Sequence, residues 1–131
     1  MEKYRGKNKD ELTALSPDEV LALLTSRARR AIKRANANKS IKVKKFMKHV
    51  AAVKAKNPGK VIRTQVREAV ITPDWFGLTF AVHNGKEWKN VFVTVDKLGY
   101  RLGDFAHTTG RVLHSGPGVG ATRGSKFIPL K

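Results

Sequence analysis

Apolar residues between positions 17 and 35 recur every three or four residues, which is the spacing of one face of an α-helix. The recurring positions are Val20, Leu23, Leu24, Ala28, Ala31 and Ala35. Ser16 can cap such a helix, Pro17 suits its first turn, and Glu19 can close a capping box. The pattern therefore predicts an amphipathic helix that begins after Ser16, with basic residues towards its other side and its C-terminal end.

A second helical pattern starts near Ser40, after an interruption at Asn36-Ala37-Asn38. Its apolar face consists of Val43, Phe46, Met47, Val50 and Val53. Asn57-Pro58-Gly59 ends it, because proline and glycine break helices. Residues 15–59 are thus predicted to form a basic helical hairpin, and the polar residues 1–14 a flexible, loosely held arm.

From Val61 onwards β-branched residues become frequent, and two alternating runs flank Asn84-Gly85. The runs are 78–83 and 88–94, and Asn-Gly between such runs is typical of a tight β-hairpin turn. The sequence leaves the pairing register open between two alternatives.

A two-residue loop sets Val82 opposite Glu87, whereas a three-residue loop with a bulge sets Val82 opposite Trp88 and Leu78 opposite Phe92. The second register is preferred because it brings large apolar side chains together.

Asp96 can cap a short helix with Leu98, Leu102 and Phe105 on one side. The expected fold class is α+β: an N-terminal helical region, a small sheet with an Asn-Gly hairpin, a short helix, and an extended basic tail rich in glycine. Residues 60–106 are expected to form the α/β core, and residues 107–131 the tail, within one globular domain.

The charge balance indicates a polyanionic partner. The 131 residues include 27 Lys+Arg and 10 Asp+Glu, a formal net charge of +17, and no acidic residue lies between Glu19 and Glu68. Nucleic acid is the first candidate, with binding that weakens as salt rises. A membrane is disfavoured because no long uncharged apolar run exists, and without a signal peptide the chain is expected in the cytoplasm.

Catalytic, metal and cofactor chemistry receive little support. The chain has no cysteine, and the spacing of His49, His83, His107 and His114 does not resemble a metal or acid–base site. Residues 116–121 match G-x-G-x-x-G/A formally, but no strand precedes them. No cofactor, metal or small-molecule substrate is expected. A free nucleic-acid chaperone stays open as an alternative, as does, far behind, a ribonuclease using His83 or His107.

Three aromatic residues and a basic row are candidates for RNA contact. Trp75, Phe76 and Trp88 suit base stacking; for Phe76 and Trp88 core packing is an equally good alternative, whereas Trp75 is expected at the surface. Around the first strand, basic side chains alternate with apolar ones, so they can project as a row towards RNA or form ordinary surface charge. The row is Lys60, Arg63 and Arg67.

Several segments, in order, closely resemble the small-subunit ribosomal protein S-nineteen family. They are Lys60-Val61-Ile62-Arg63-Thr64 with Arg67, Gly77 to Lys86, Val91-Phe92-Val93-Thr94 and Leu102-Gly103-Asp104-Phe105-Ala106. The long N-terminal helical region and the ends 116–122 and 126–131 are similar to the archaeal and eukaryotic branch. Residues 107–110 differ from the bacterial tail, so bacterial tail contacts do not transfer.

The resemblance implies a structural role in the head of the small subunit, bound to small-subunit ribosomal RNA beside protein S-thirteen. It also implies a place near the bridge to the large subunit, with the tail towards tRNA and the decoding region. The positions expected to face RNA are Lys60, Arg63, Arg67, His83, Lys86, Arg101 and Arg111. In the tail, contacts are expected from Gly116, Gly118, Gly120, Arg123 and Lys126, because glycines let backbone amides approach phosphates closely.

Overall fold

The computed structural model describes residues 3–113 and confirms the α+β class. Its α-helices are α1 (Lys9–Ala14), α2 (Pro17–Leu23), α3 (Ser26–Asn36) and α4 (Ile41–Lys56). Its strands are β1 (Ile62–Thr64), β2 (Thr79–His83) and β3 (Trp88–Phe92), and short 3-10 helices cover Pro73–Trp75, Val95–Lys97 and Leu102–Phe105. The tail positions named above, from Gly116 to Lys126, lie outside the described residues.

The segment expected to be a loosely held arm contains helix α1. The backbone N–H of Asn8 donates to the Glu11 carboxylate at 3.0 Å, which satisfies an amide at the start of the helix. Leu12 is buried and anchors α1 to the rest of the protein. An N-x-x-E signal was present at Asn8, but one buried leucine in six residues is too little for a periodic pattern.

The helix predicted from Ser16 is divided in two at Leu24. Leu24 adopts an extended conformation, with ψ of 157°, and its side chain is buried. The guanidinium of Arg29 donates to the carbonyl oxygens of Leu21, Ala22 and Leu24 at 2.7, 3.1 and 3.2 Å. Arg29 of α3 therefore supplies hydrogen-bond donors to three carbonyls at the end of α2 that the helix itself leaves without a partner.

The three strands form one sheet in the order β1-β2-β3, with β1 parallel and β3 antiparallel to β2. Neither predicted hairpin register is right: His83 pairs with Trp88, and Phe80 pairs with Val91. The N–H of Asn84 donates to the Glu87 carbonyl at 3.0 Å. The two residues at the tip of the turn are therefore Gly85 and Lys86, one position later than the expected Asn84 and Gly85.

Asn84 precedes the turn, and its side chain forms hydrogen bonds with the backbone of the turn. Its Oδ1 accepts the backbone N–H groups of Lys86 and Glu87 at 3.0 and 2.9 Å. Gly85 takes the positive φ of 105° that the turn requires. Asparagine commonly bonds the backbone two residues on, and this local preference decides the register.

One face of the sheet packs against α4. Phe80 is fully buried, with ring centroids 6.0 Å from Phe46 and 5.2 Å from Trp75. Trp75 is only 4% exposed, so its predicted surface position is wrong: the 3-10 turn at residues 73–75 directs the ring inwards. A second buried cluster lies under α1 and α3 and contains Leu12, Leu24, Ala28, Ile32, Val70, Val95 and Leu98.

The single short helix predicted after Asp96 is two 3-10 helices separated by Gly99, which has a φ of +80°. The N–H of Gly99 donates to the carbonyl of Ile71, and the N–H of Ile71 donates to the carbonyl of Tyr100. These backbone bonds hold the segment beside residues 69–71 while Leu98 and Leu102 stay buried. A longer helix would have removed these partners.

Candidate nucleic-acid interface

The sheet face that points away from α4 is the candidate interface. Side chains alternate between the two faces of a strand, and Ile62, Phe80 and Val91 are paired and buried on the inner one. Their neighbours in each strand must point outwards. The outer sheet face consists of Arg63, Thr79, Ala81, His83, Trp88, Asn90 and Phe92. It carries no carboxylate.

Trp88 lies at the centre of the contacts on this outer sheet face. The Arg63 guanidinium carbon is 5.9 Å from the centroid of the Trp88 ring, within cation–π range. The His83 ring approaches edge-on at 4.8 Å. Trp88 is 39% exposed, so of the two alternatives that the sequence left open for it, core packing is excluded. An exposed indole held between two cationic or polar side chains is suited to stacking on a nucleobase.

His83 is oriented by the hairpin turn. Its Nδ1 accepts the backbone N–H of Gly85 at 3.0 Å, so in the neutral ring the proton is on Nε2, which can donate. Lys86 is exposed in the same turn. The structure therefore brings together three of the residues expected to face RNA, namely Arg63 and His83 on the sheet and Lys86 at its end.

Acidic groups do not neutralise the interface. In the described part of the chain the single ion pair joins Lys89 and Glu87, at 2.7 Å. The side-chain hydrogen bond and charge of Lys89 lower the pKa of the Glu87 carboxyl. Arg63 is exposed and pairs with no carboxylate among residues 3–113, so its charge is directed towards solvent.

Arg67 is used inside the protein. Its guanidinium donates to the carbonyl oxygens of His83, Gly103 and Ala106 at 2.7, 2.9 and 2.5 Å. In return, the N–H of Gly103 donates to the Arg67 carbonyl at 2.8 Å. Arg67 therefore joins the end of β2 to the last 3-10 helix, and we leave it out of the proposed interface.

The remaining predicted positions are dispersed. Lys60 is exposed just before β1; because β1 is parallel to β2, it lies at the opposite end of the sheet from His83. Arg101 is half-buried on the helical side, where its backbone N–H donates to Asp104 at 3.0 Å. Arg111 is exposed beyond the last 3-10 helix.

Among the exposed residues of the outer sheet face, the sequence reasoning missed Asn90 and the 52% exposed Phe92. A signal for them existed. In the run from Trp88 to Val93, the polar Asn90 lies between Trp88 and Phe92, whereas Val91 and Val93 alternate with them. Two valines on one face and a polar residue on the other indicate which face is buried.

Residues 3–113 contain neither a membrane-spanning helix nor a metal-binding cluster of side chains. No helix within residues 3–113 has the length and apolar character needed to cross a bilayer. In the same range, histidine and acidic side chains form no group of three or more that could hold a metal ion.

Comparison with known proteins adds a finding from sequence. The family model described as Ribosomal protein S19 matches residues 32–114, more than half of the chain. The matched region contains α4, the whole sheet and all the residues of the outer sheet face.

Two curated archaeal proteins are similar over nearly the full length. A small ribosomal subunit protein uS19 from Methanocella arvoryzae is 43% identical over 128 residues, which are 98% of this chain and 86% of that protein. Another, from Methanococcus maripaludis, is 42% identical over 132 residues, covering 98% of this chain and 81% of that protein. The likeness therefore extends through α1, α2 and α3, which precede most of the family match.

Proposed function

The chain belongs to the ribosomal protein S19 family, in its archaeal and eukaryotic form, and from this premise we propose that it is a structural component of the small ribosomal subunit that binds small-subunit ribosomal RNA. The outer sheet face is the observation that supports the RNA contact. It joins an arginine that has no ion-pair partner within residues 3–113, an oriented histidine and an exposed tryptophan, and none of its seven residues is acidic.

The proposed mechanism is positioning, without turnover. Arg63 and Lys86 neutralise phosphates and release counterions, which provides affinity that depends on salt. The Nε2–H of His83 donates to a phosphate or ribose oxygen, and an unpaired base stacks on Trp88. The inner face of the sheet, packed on α4, holds these side chains on a rigid support.

Finer features of the proposal come from family membership. We place the chain in the head of the small subunit of cytoplasmic ribosomes, beside protein S-thirteen, near the bridge to the large subunit. Residues beyond 113, including Gly116, Gly118, Gly120, Arg123 and Lys126, are proposed to extend towards tRNA and the decoding region. Cross-linking of assembled subunits, followed by mass spectrometry of the linked peptides, tests each neighbour separately.

The test of RNA binding uses the full chain and two RNAs of equal length, one from the small-subunit and one from the large-subunit ribosomal RNA. We expect tighter binding to the small-subunit fragment at about 0.1 M and about 0.3 M salt, which lie below and above the physiological ionic strength. Arg63→Gln should weaken it, whereas Lys48→Gln, the same charge change on the exposed side of α4, should weaken it less.

Equal affinity for both RNAs, with equal losses in the two variants, would favour a nonspecific nucleic-acid chaperone. Sedimentation of a lysate through a sucrose gradient then gives an independent check: stoichiometric migration with small subunits at moderate salt supports the ribosomal proposal. Degradation of either RNA, abolished by His83→Ala, would be needed to revive the ribonuclease alternative.

A further inference from the structure

A second basic surface runs along α3, on the helical side of the molecule. Arg27, Arg30 and Arg34 follow one another at intervals of three and four residues, so they share a side of the helix, while Ala28, Ile32 and Ala35 are buried on the other. Arg29 also lines this surface, but its guanidinium donates to carbonyls at the end of α2. We define the α3 groove by the six other cations that line it: Arg27, Arg30, Lys33, Arg34, Lys39 and Arg101.

Three adjoining depressions make this groove continuous. The first, of about 480 Å³, lies between Arg27 and Arg101; the second, of about 270 Å³, is lined by Arg101, Arg34 and Lys39. The third, of about 370 Å³, is lined by Arg34 and Lys39 again, together with Arg30 and Lys33. Shared residues link each depression to the next along the 11 residues of α3, a length of about 16 Å.

Within residues 3–113, none of the six cations that define the groove forms an ion pair. Two carboxylates line it, Asp104 in the first depression and Glu68 in the second. Asp104 accepts the backbone N–H of Arg101, and neither carboxylate forms an ion pair among the described residues. Six cations against two carboxylates leave a strongly positive surface, and the five cations from α3 and the following loop are exposed.

Arg29 shows that an internal role was available to arginines on this helix. Arg29 and Arg30 both line the third depression, but the guanidinium of Arg29 donates to three carbonyls at the end of α2, whereas Arg30 is exposed. The structure therefore distinguishes an arginine that serves the fold from those that are left for a partner.

We propose that the α3 groove binds the phosphodiester backbone of a second segment of small-subunit ribosomal RNA, so that the chain joins two RNA segments. The groove shares no residue with the outer sheet face. Lysines and arginines along a groove fit a phosphate backbone, which needs no base-specific contact. This inference rests on the proposed function.

The groove also extends beyond the part of the chain matched by the family model. Arg27 and Arg30 precede residue 32, where the match begins, yet both lie within the likeness to the two archaeal proteins, which covers 98% of the chain. Arg101, on the opposite wall, is inside the family match. The second surface thus combines a residue of the core with cations from the N-terminal helices.

Hydroxyl-radical footprinting of small-subunit ribosomal RNA with the full chain tests the proposal. Wild type should protect two separate RNA regions. The variant Arg30→Gln/Arg34→Gln should lose protection of one region and bind at least about tenfold more weakly at 0.1 M salt, since two phosphate contacts are removed. The variant Arg63→Gln/Trp88→Ala should lose the other region.

Lys48→Gln/Lys56→Gln is the matched control, because it removes two exposed cations from α4. Glutamine keeps helix propensity, and circular dichroism checks that each variant is folded. A groove variant with the wild-type footprint and the control's affinity overturns the second surface while leaving the proposed function intact. If that variant instead binds RNA normally but fails to enter subunits, the groove serves an acidic protein, and the inference is equally wrong. Absence of any protection by wild type contradicts the proposed function itself.

Discussion

The two faces of the sheet differ completely although they are built from the same three strands. On the inner face Ile62, Phe80 and Val91 lie side by side and are buried to 3% exposure or less. One residue along, Arg63, Ala81 and Asn90 form the corresponding outer row, in which only the small Ala81 is buried. A shift of one residue along the strands therefore separates the buried core row from the row of the proposed interface.

Arg63 and Arg67 repeat this contrast between two residues of one type. Arg63 extends over an exposed indole, whereas Arg67 donates to three backbone carbonyls. Their charge is the same, and their neighbours decide their use. Where donors are needed to join separate segments, a guanidinium can serve the fold as well as a ligand.

The largest effect is expected from truncating the inner face. Phe80→Ala removes a fully buried ring that contacts Phe46 and Trp75, so the free energy of unfolding should fall by about 3–5 kcal/mol. Urea denaturation followed by circular dichroism measures this change. RNA affinity of the folded fraction should stay near wild type. A selective loss of affinity with normal stability would reverse the assignment of the two faces.

Two charge-conserving variants, Arg67→Lys and Arg63→Lys, test whether the two arginines differ in their contribution to stability. Arg67→Lys loses the fork that reaches three carbonyls, and we expect the free energy of unfolding to fall by about 2–3 kcal/mol. Arg63→Lys should change stability by less than about 0.5 kcal/mol, since Arg63 is exposed. Denaturant unfolding of both proteins gives the comparison. Equal losses would mean that the contacts of Arg67 do not hold the segments together.

On the outer face, Trp88→Ala should weaken RNA binding by about 1–3 kcal/mol if one base stacks on the indole. Trp88→Phe, which keeps a ring, should retain most of the affinity. The loss should persist as salt rises, because stacking releases no counterions, whereas the loss in Arg63→Gln should shrink. Binding titrations at several salt concentrations measure both. A salt-dependent loss in Trp88→Ala would point to displacement of Arg63 instead.

The smallest effect concerns the cap of α2, away from both faces. Hydrogen bonds from the backbone N–H and the hydroxyl of Ser16 lower the pKa of Glu19 below its ordinary 4.5. The ionised carboxylate therefore stabilises the fold above the unfolded pKa, and this contribution is lost as pH falls through the lower folded pKa. Thermal unfolding should show Glu19→Gln slightly less stable than wild type at pH 7, with a difference that shrinks as the pH falls below 4.5. A constant difference would exclude ionisation as its cause.

Elements with strong local signals were predicted from the sequence. The cap at Ser16 and the apolar face of α4 were found, and the family resemblance, carried by short motifs in the sheet region, is confirmed. The missed features depend on hydrogen bonds between side chains and the backbone, which a pattern of apolar positions does not show. The break at Leu24 depends on the position of Arg29, and the register depends on Asn84 capping its own turn.

The candidate site was only partly predictable for the same reason. Arg63, His83 and Lys86 were named, but a sequence cannot show that Arg67 finds carbonyls 16, 36 and 39 positions away. Trp75 was expected at the surface but is buried, and Trp88, for which core packing was one alternative, is exposed. Both lie next to turns, and only the packed structure decides which ring faces α4. Burial of an aromatic residue is a property of its neighbours.

The second buried cluster has a consequence for the order in which the chain is made. It joins Leu12, Leu24 and Ile32 near the beginning of the chain to Val95 and Leu98 near the end of the described part. At roughly 5–20 residues per second, several seconds of synthesis separate these two groups. During that time the N-terminal helices lack Val95 and Leu98 as packing partners. The arginines of α3 are therefore accessible to a polyanion before the fold is complete.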